Sequence, residues 1–155
     1  MAIIIEFAQN EHGQKPVLDH LNALVALARA RNADALWILP RIRRALGFVQ
    51  RHGVPGSVGQ NLSEVDDWGI PFTLAQPVKT LDFHPPIHEL RVNRKGYGAF
   101  RALFFPYDHR GDQYLVFTQS VLKSDTSDPA FDAAVSATEA FLPEFLKDPR
   151  KYITL

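Results

Sequence analysis

The stretch from residue 91 to residue 123 carries six cations, Arg91, Arg94, Lys95, Arg101, Arg110 and Lys123, interleaved with aromatic residues that include Tyr97, Phe100, Tyr107, Tyr114 and Phe117. Guanidinium and ammonium groups neutralise phosphate, and aromatic faces stack on unpaired bases. Together they are the residue types that recognise single-stranded nucleic acid. The plain alternative is a soluble sheet with one wet face, which mixes the same residues. His88 and His109 lie in the same region, and because imidazole is the side chain suited to proton transfer near neutral pH, either is a candidate base.

Other chemistries lack their residues. There is no cysteine, which excludes thiol nucleophiles, disulfides, iron–sulfur clusters and thiolate-bound zinc, and suits a cytoplasmic protein. Gly96 and Gly98 make only a short Gly-x-Gly with no helix following, so no phosphate-cradling loop is present. His84 and His88 are separated by Pro85 and Pro86, which forbid the helical turn that would face two imidazoles toward one metal. The acidic group Glu64, Asp66 and Asp67 has no metal-site spacing and reads as a solvated loop. No metal or cofactor is expected, and no apolar run approaches the roughly 20 residues of a membrane span.

The 155 residues carry 17 Lys+Arg against 17 Asp+Glu, so a protein-wide attraction to polyanions is absent. The zero hides segregation. Residues 1–52 and 87–123 each sum to +3, while 53–86 and 124–155 each sum to −3. Between residues 29 and 51, Arg29, Arg31, Arg41, Arg43, Arg44 and Arg51 face only Asp34 and read as a solvated helix face.

The positioning elements follow from periodicity. Ile3 to Phe7 is a short strand, and Val17, Leu18, Leu21, Leu24, Val25 and Ala28 recur at helical spacing behind Pro16. After a break at Asn32 to Asp34, Ile42, Ala45, Leu46 and Val49 mark a second helix, with Pro40 near its start and Gly53 just past its end. Residues 54–86 read as a long irregular insertion with one extended piece near Phe72 to Leu74. Three strands, Ile87 to Val92, Ala99 to Phe105 and Gln113 to Leu122, form an antiparallel meander through loops at 93–98 and 106–112. Asp128 and Pro129 open a last helix that Pro143 should end or kink. The order predicts one α+β domain over residues 1–155: an N-terminal strand and helical hairpin on an antiparallel sheet, a C-terminal helix, and the helices on one side of the sheet. Strand parity places Arg91 with Glu89 and Arg101 with Leu103, whereas the last strand needs a bulge or burial on both faces. Arg91 and Glu89 also suit a merely structural ion pair.

The run IHELRV at Ile87 to Val92, a glycine hairpin, FRALFF at Phe100 to Phe105 and YLVFTQSVLKS at Tyr114 to Ser124, then a helix, resembles the RelE/HigB/ParE toxin superfamily. Leu39-Pro40 and Arg51-His52-Gly53 resemble the second helix of its phage-derived HigB-like branch. The resemblance implies a RelE-like fold and the toxin of a toxin–antitoxin pair, an endoribonuclease that cuts messenger RNA on the ribosome. Arg91, Arg101 and Lys123 match the family's catalytic cations. Arg94, Lys95, Tyr97, Tyr107, His88 and Arg110 are then the substrate-binding candidates, and the partners are an antitoxin, messenger RNA and the ribosome. The chain departs from the family where several lysines usually follow the last strand: here Lys123 precedes Ser124, Asp125, Thr126, Ser127 and Asp128. That departure suits two alternatives, a ParE-like topoisomerase inhibitor and a non-catalytic phage-derived module that only binds an antitoxin.

Overall fold

In the computed structural model, residues 1–124 and 128–155 are described; residues 125–127 of the Ser/Asp run after Lys123 lie outside them. The architecture is α+β. Strand β1 (Ile3–Phe7) leads into helices α1 (Pro16–Arg29) and α2 (Ala33–Ser57). A small hairpin follows, β2 (Leu62–Val65) with β3 (Pro71–Leu74), then β4 (Val78–Thr80). The expected meander is β5 (His88–Arg94), β6 (Gly98–His109) and β7 (Asp112–Lys123), and α3 (Pro129–Lys147) closes the fold. The main sheet runs β1-β7-β6-β5-β4, with β1 parallel to β7 and the other pairs antiparallel.

The helices do not share one side, as the sequence suggested. The α1–α2 hairpin buries Val17, Leu24, Ile38, Ile42 and Val49 against Leu90, Val92, Phe100, Phe104, Leu115 and Phe117. On the opposite face α3 meets Phe105 and Val116 through Phe145, and Ile87 and Leu103 through Ala134 and Val135. Alternate residues of β5, β6 and β7 therefore enter two cores, which accounts for strands apolar on both faces.

Two features of β7 reconcile its parity. Thr118 is the extra residue of a bulge at Leu103/Phe104, where the pairing steps from Phe104↔Phe117 to Leu103↔Gln119. Beyond it Val121 and Lys123 turn to the α3 face, opposite Arg101 and Ala99. The bulge thus sets Lys123 on the same face as Arg101, although Leu115 and Phe117 of the same strand point the other way.

The 54–86 segment is more regular than expected. It holds the end of α2, where Gly53 breaks the helix at φ 70°, and strands β2, β3 and β4. The acidic cluster is also not simply solvated. Arg44 pairs with Glu64 at 3.1 Å and Asp67 at 3.2 Å, and Arg51 reaches Glu64 at 3.8 Å, so the insertion neutralises part of the basic face of α2. Asn32 caps α2 by accepting from the Ala35 N–H at 3.0 Å, which starts the helix early and leaves Pro40 inside it. Likewise α3 runs through Pro143 to Lys147. At its start Asp128 accepts from the Ala130 N–H at 2.8 Å, as expected, and backbone N–H groups of Ser124 and Ala130 hold its carboxyl below the usual aspartate value. Pro106, expected in a loop, lies within β6. Pairing with β5 stops at Phe104, so a strand proline sits where one edge is open.

Two histidines are tied into the α1–α2 face. His20 bonds Ser120 at 2.8 Å and His88 bonds Thr80 at 3.0 Å, their rings lying against Phe100 and Phe104. Burial pushes both imidazoles below the ordinary histidine value. Folding therefore releases protons near neutral pH: stability is fully present above about 6.5 and falls as pH drops through that value toward the lower folded value. Thermal melts from pH 7.5 to pH 5 should show a decline that is smaller in His88→Gln; an identical slope would contradict this.

Candidate phosphate site at the sheet corner

The corner of the α3 face is built as three rows across the strands. Lys79, Glu89, Leu103 and Gln119 are in register in the first, Arg91, Arg101 and Val121 in the second, and Asn93, Ala99 and Lys123 in the third. Apolar Leu103 and Val121 lie against α3.

Arg91 and Arg101 are directly opposed, an arrangement that repels unless an anion intervenes. Glu89 supplies it. Its carboxylate, in a residue only 5% exposed, lies 3.5 Å from Arg101 Nε and 4.0 Å from Arg91 Nη1. Arg101 Nη1 donates to Asn93 Oδ1 at 2.7 Å, and Arg91 Nε donates to the Gln76 carbonyl at 2.8 Å. Burial lowers the Arg101 guanidinium from the ordinary arginine value, Glu89 counteracts this, and Arg91 lowers it further. A guanidinium so placed is still a cation, suited to stabilising negative charge rather than to accepting a proton.

Arg101 opens onto a concavity of about 690 Å³ lined by Asn93, Ala99, Lys123, Ser124 and the β5–β6 hairpin from Arg94 to Gly98. Lys95, Tyr97, Arg101 and Lys123 thus converge on one cavity. Lys123 Nζ lies over the Phe131 ring at 4.7 Å, a cation–π contact that steadies the ammonium at the cavity edge. Arg91 borders a smaller adjoining hollow with Thr73, Leu74 and Ala75, and Asn93 lies between the two.

Other candidates are placed elsewhere. Arg94 lines the cavity, but its guanidinium pairs with Asp34 at 3.0 Å and covers Trp37 at 4.9 Å, on the α2 side. His88 is buried on the α1–α2 face. Tyr107 packs edge-on to Phe145 at 5.1 Å, and Arg110 occupies the β6–β7 turn at φ 51°; both are near the far end of the hairpin. Ten residues of strand, roughly 30 Å, separate Tyr107 from Tyr97. His109 is at that far end too, stacked on Tyr107. Asn93 and Ser124 were not singled out from sequence. Asn93 shares the parity of Glu89 and Arg91, which is the signal that marks it, while Ser124 follows the strand and carries no such signal.

Gly98 makes the corner possible. At φ 146° a Cβ on it would meet the Lys123 carbonyl oxygen at 3.1 Å and Leu122 side-chain carbons at 3.2 Å. Gly98→Ala should displace β7 beside Lys123, costing about 1–3 kcal/mol by overpacking. Chemical denaturation would measure it, and an unchanged midpoint would contradict the close approach.

Chemically the cavity holds fixed positive charge, one aromatic face from Tyr97 and donors from Asn93 and Ser124. No carboxylate or imidazole of the described residues lines it, and among them the Lys123 amine and the Tyr97 hydroxyl are groups able to exchange a proton. No group of three or more metal-ligating side chains occurs among the described residues, and none of their helices is long and apolar enough to cross a membrane. Compared with protein-family models, curated proteins and solved structures, the chain matches none.

Proposed function

We propose that this chain is the toxin of a toxin–antitoxin pair with a RelE/HigB-like fold, an endoribonuclease acting on ribosome-bound messenger RNA in the cytoplasm. The observation that carries the reading is the register-paired Arg91 and Arg101, joined by Glu89, beside a cavity to which Lys95, Tyr97 and Lys123 contribute. The element order of strand, helical hairpin, meander and C-terminal helix agrees with it.

The reaction is attack of a ribose 2′-hydroxyl on the adjacent phosphorus. An O2′–P bond forms, the P–O5′ bond breaks, one proton leaves the 2′-hydroxyl and one reaches the departing 5′-oxygen. Arg101 stabilises the charge that accumulates on the phosphorane, Lys123 exchanges a proton or adds charge, and Tyr97 stacks on a base next to the scissile bond. An antitoxin covers the cationic corner and silences it.

A second reading, the ParE-like topoisomerase inhibitor, is favoured by the lack of a carboxylate or imidazole among the described residues that line the cavity. Induced expression in a bacterial host separates the two. Growth arrest with shortened messages and normal plasmid supercoiling is expected, whereas arrest with intact messages and altered supercoiling would replace the ribonuclease by the inhibitor. Growth without arrest would leave the antitoxin-binding module.

A further inference from the structure

Glu89 is a costly residue to bury, because a carboxylate removed from water loses solvation that only well-placed cations and donors can offset. Its neighbours show that an apolar side chain would fit the same face: Ile87, two residues earlier, and Leu103, its register partner, both pack against α3. The charged groups facing it are Arg91 on its own strand, Arg101 on β6, and Lys79, its register partner on β4.

Donor accounting at Arg101 gives the carboxylate a role. The guanidinium has N–H donors on three nitrogens. Nε faces Glu89 at 3.5 Å, and Nη1 is taken by Asn93 Oδ1 at 2.7 Å and the Phe100 carbonyl at 3.4 Å. Nη2 has no protein partner among the described residues, yet it is not a buried orphan. Glu89 and Asn93 therefore hold two nitrogens of the fork, the third has no partner among the described residues, and Arg101 lines the cavity.

We infer that Glu89 is a positioning residue: with Asn93 it clamps Arg101 so that the Nη2 end faces the cavity, ready for one phosphate oxygen. The inference rests on the cavity being a phosphate site. It sets apart two things that a cationic patch otherwise does together. Attraction of the RNA backbone comes from net charge, whereas rate comes from one guanidinium held in a fixed attitude before the phosphate arrives.

Glu89→Gln tests this, because it keeps size and removes charge. Binding of a labelled single-stranded RNA, followed by fluorescence anisotropy, should be unchanged or tighter, since the variant gains one positive charge. Turnover at saturating message should fall about tenfold or more, the scale expected when a transition-state donor loses its orientation. In ¹⁵N spectra, the Arg101 Nε–H, assigned with Arg101→Lys, should be protected from solvent exchange in the wild type and lose that protection in Glu89→Gln. Turnover within twofold of wild type, or unaltered exchange, would overturn the inference. If the wild type cuts no RNA, the ribonuclease reading fails and the exchange measurement alone decides the clamp. Should Glu89→Gln not fold, Glu89→Asp draws the carboxylate back by one methylene. It should lose turnover without losing RNA affinity, and wild-type turnover in it would equally overturn the inference.

Discussion

An Arg101→Ala variant is expected to lose two to three orders of magnitude in cutting rate, on the scale of about 10²–10³ for removing one preorganised donor from a developing oxyanion. The magnitude follows from how completely Arg101 is committed. Its side chain is 11% exposed, it is paired to Glu89 and bonded to Asn93, and it lines the cavity with Lys95, Tyr97 and Lys123. RNA affinity should fall much less, because Lys95 and Lys123 remain. The salt dependence of binding should flatten by about 0.7 units of slope for one lost phosphate contact on a single strand. Stability should also fall by about 1–3 kcal/mol, since Glu89 keeps only its more distant cation, Arg91 at 4.0 Å. Activity must therefore be compared below the variant's own melting range. Arg101→Lys keeps the charge but not the fork and should recover binding without recovering rate.

Phe104→Ala carries the largest expected loss of stability, about 3–5 kcal/mol from lost burial and the cavity left behind. Phe104 is fully buried, stacked on Phe117 at 4.6 Å between centroids and near His88 at 5.5 Å. At about 2–4 °C per kcal/mol for a chain of this size, a drop in melting temperature of roughly 10 °C is expected by calorimetry. A change below about 3 °C would mean that the two faces of the sheet repack freely. The position matters beyond packing, because Phe104 flanks the bulge that swings Val121 and Lys123 to the α3 face. A strand slip of one residue there would carry Lys123 to the α1–α2 side, away from Arg101. Cutting should then fall in the variant even at temperatures where it is folded.

Much of this fold was legible in the sequence. Ile3 to Phe7, the α1 periodicity, the meander and the Asp128-Pro129 helix start were each carried by a local pattern, and each is present. What escaped depends on distant contacts. Strands as short as β2, with four residues, and β4, with three, have too few residues to show alternation, and they exist because a partner strand completes their hydrogen bonds. The sequence places Pro40 near a helix start and makes Pro143 an end or a kink, yet α2 and α3 pass through them, because residues elsewhere in each helix bury against the sheet and outweigh one lost bond. That α3 covers the face opposite α1 and α2 cannot be read from strands apolar on both sides.

At the corner, parity alone paired Arg91 with Glu89 on one face. The register Arg91↔Arg101 and the approach of Lys123 needed the hairpin and the bulge to be known. Tyr107, Arg110 and His88 were chosen by residue type within the cationic stretch, and a strand of twelve residues is long enough to carry such residues to its other end or its other face. The pairing of Arg44 with Glu64 and Asp67 likewise joins two blocks of opposite charge that sequence order keeps apart.

The most direct measurement is primer extension on a defined messenger RNA in a purified translation system, with wild-type protein and Arg101→Ala side by side. Cuts within translated codons that vanish in the variant, while the variant still binds RNA, are the predicted result. An uncut message at protein concentrations that saturate RNA binding, or equal cutting by both proteins, would contradict the assignment of this corner as a ribonuclease site.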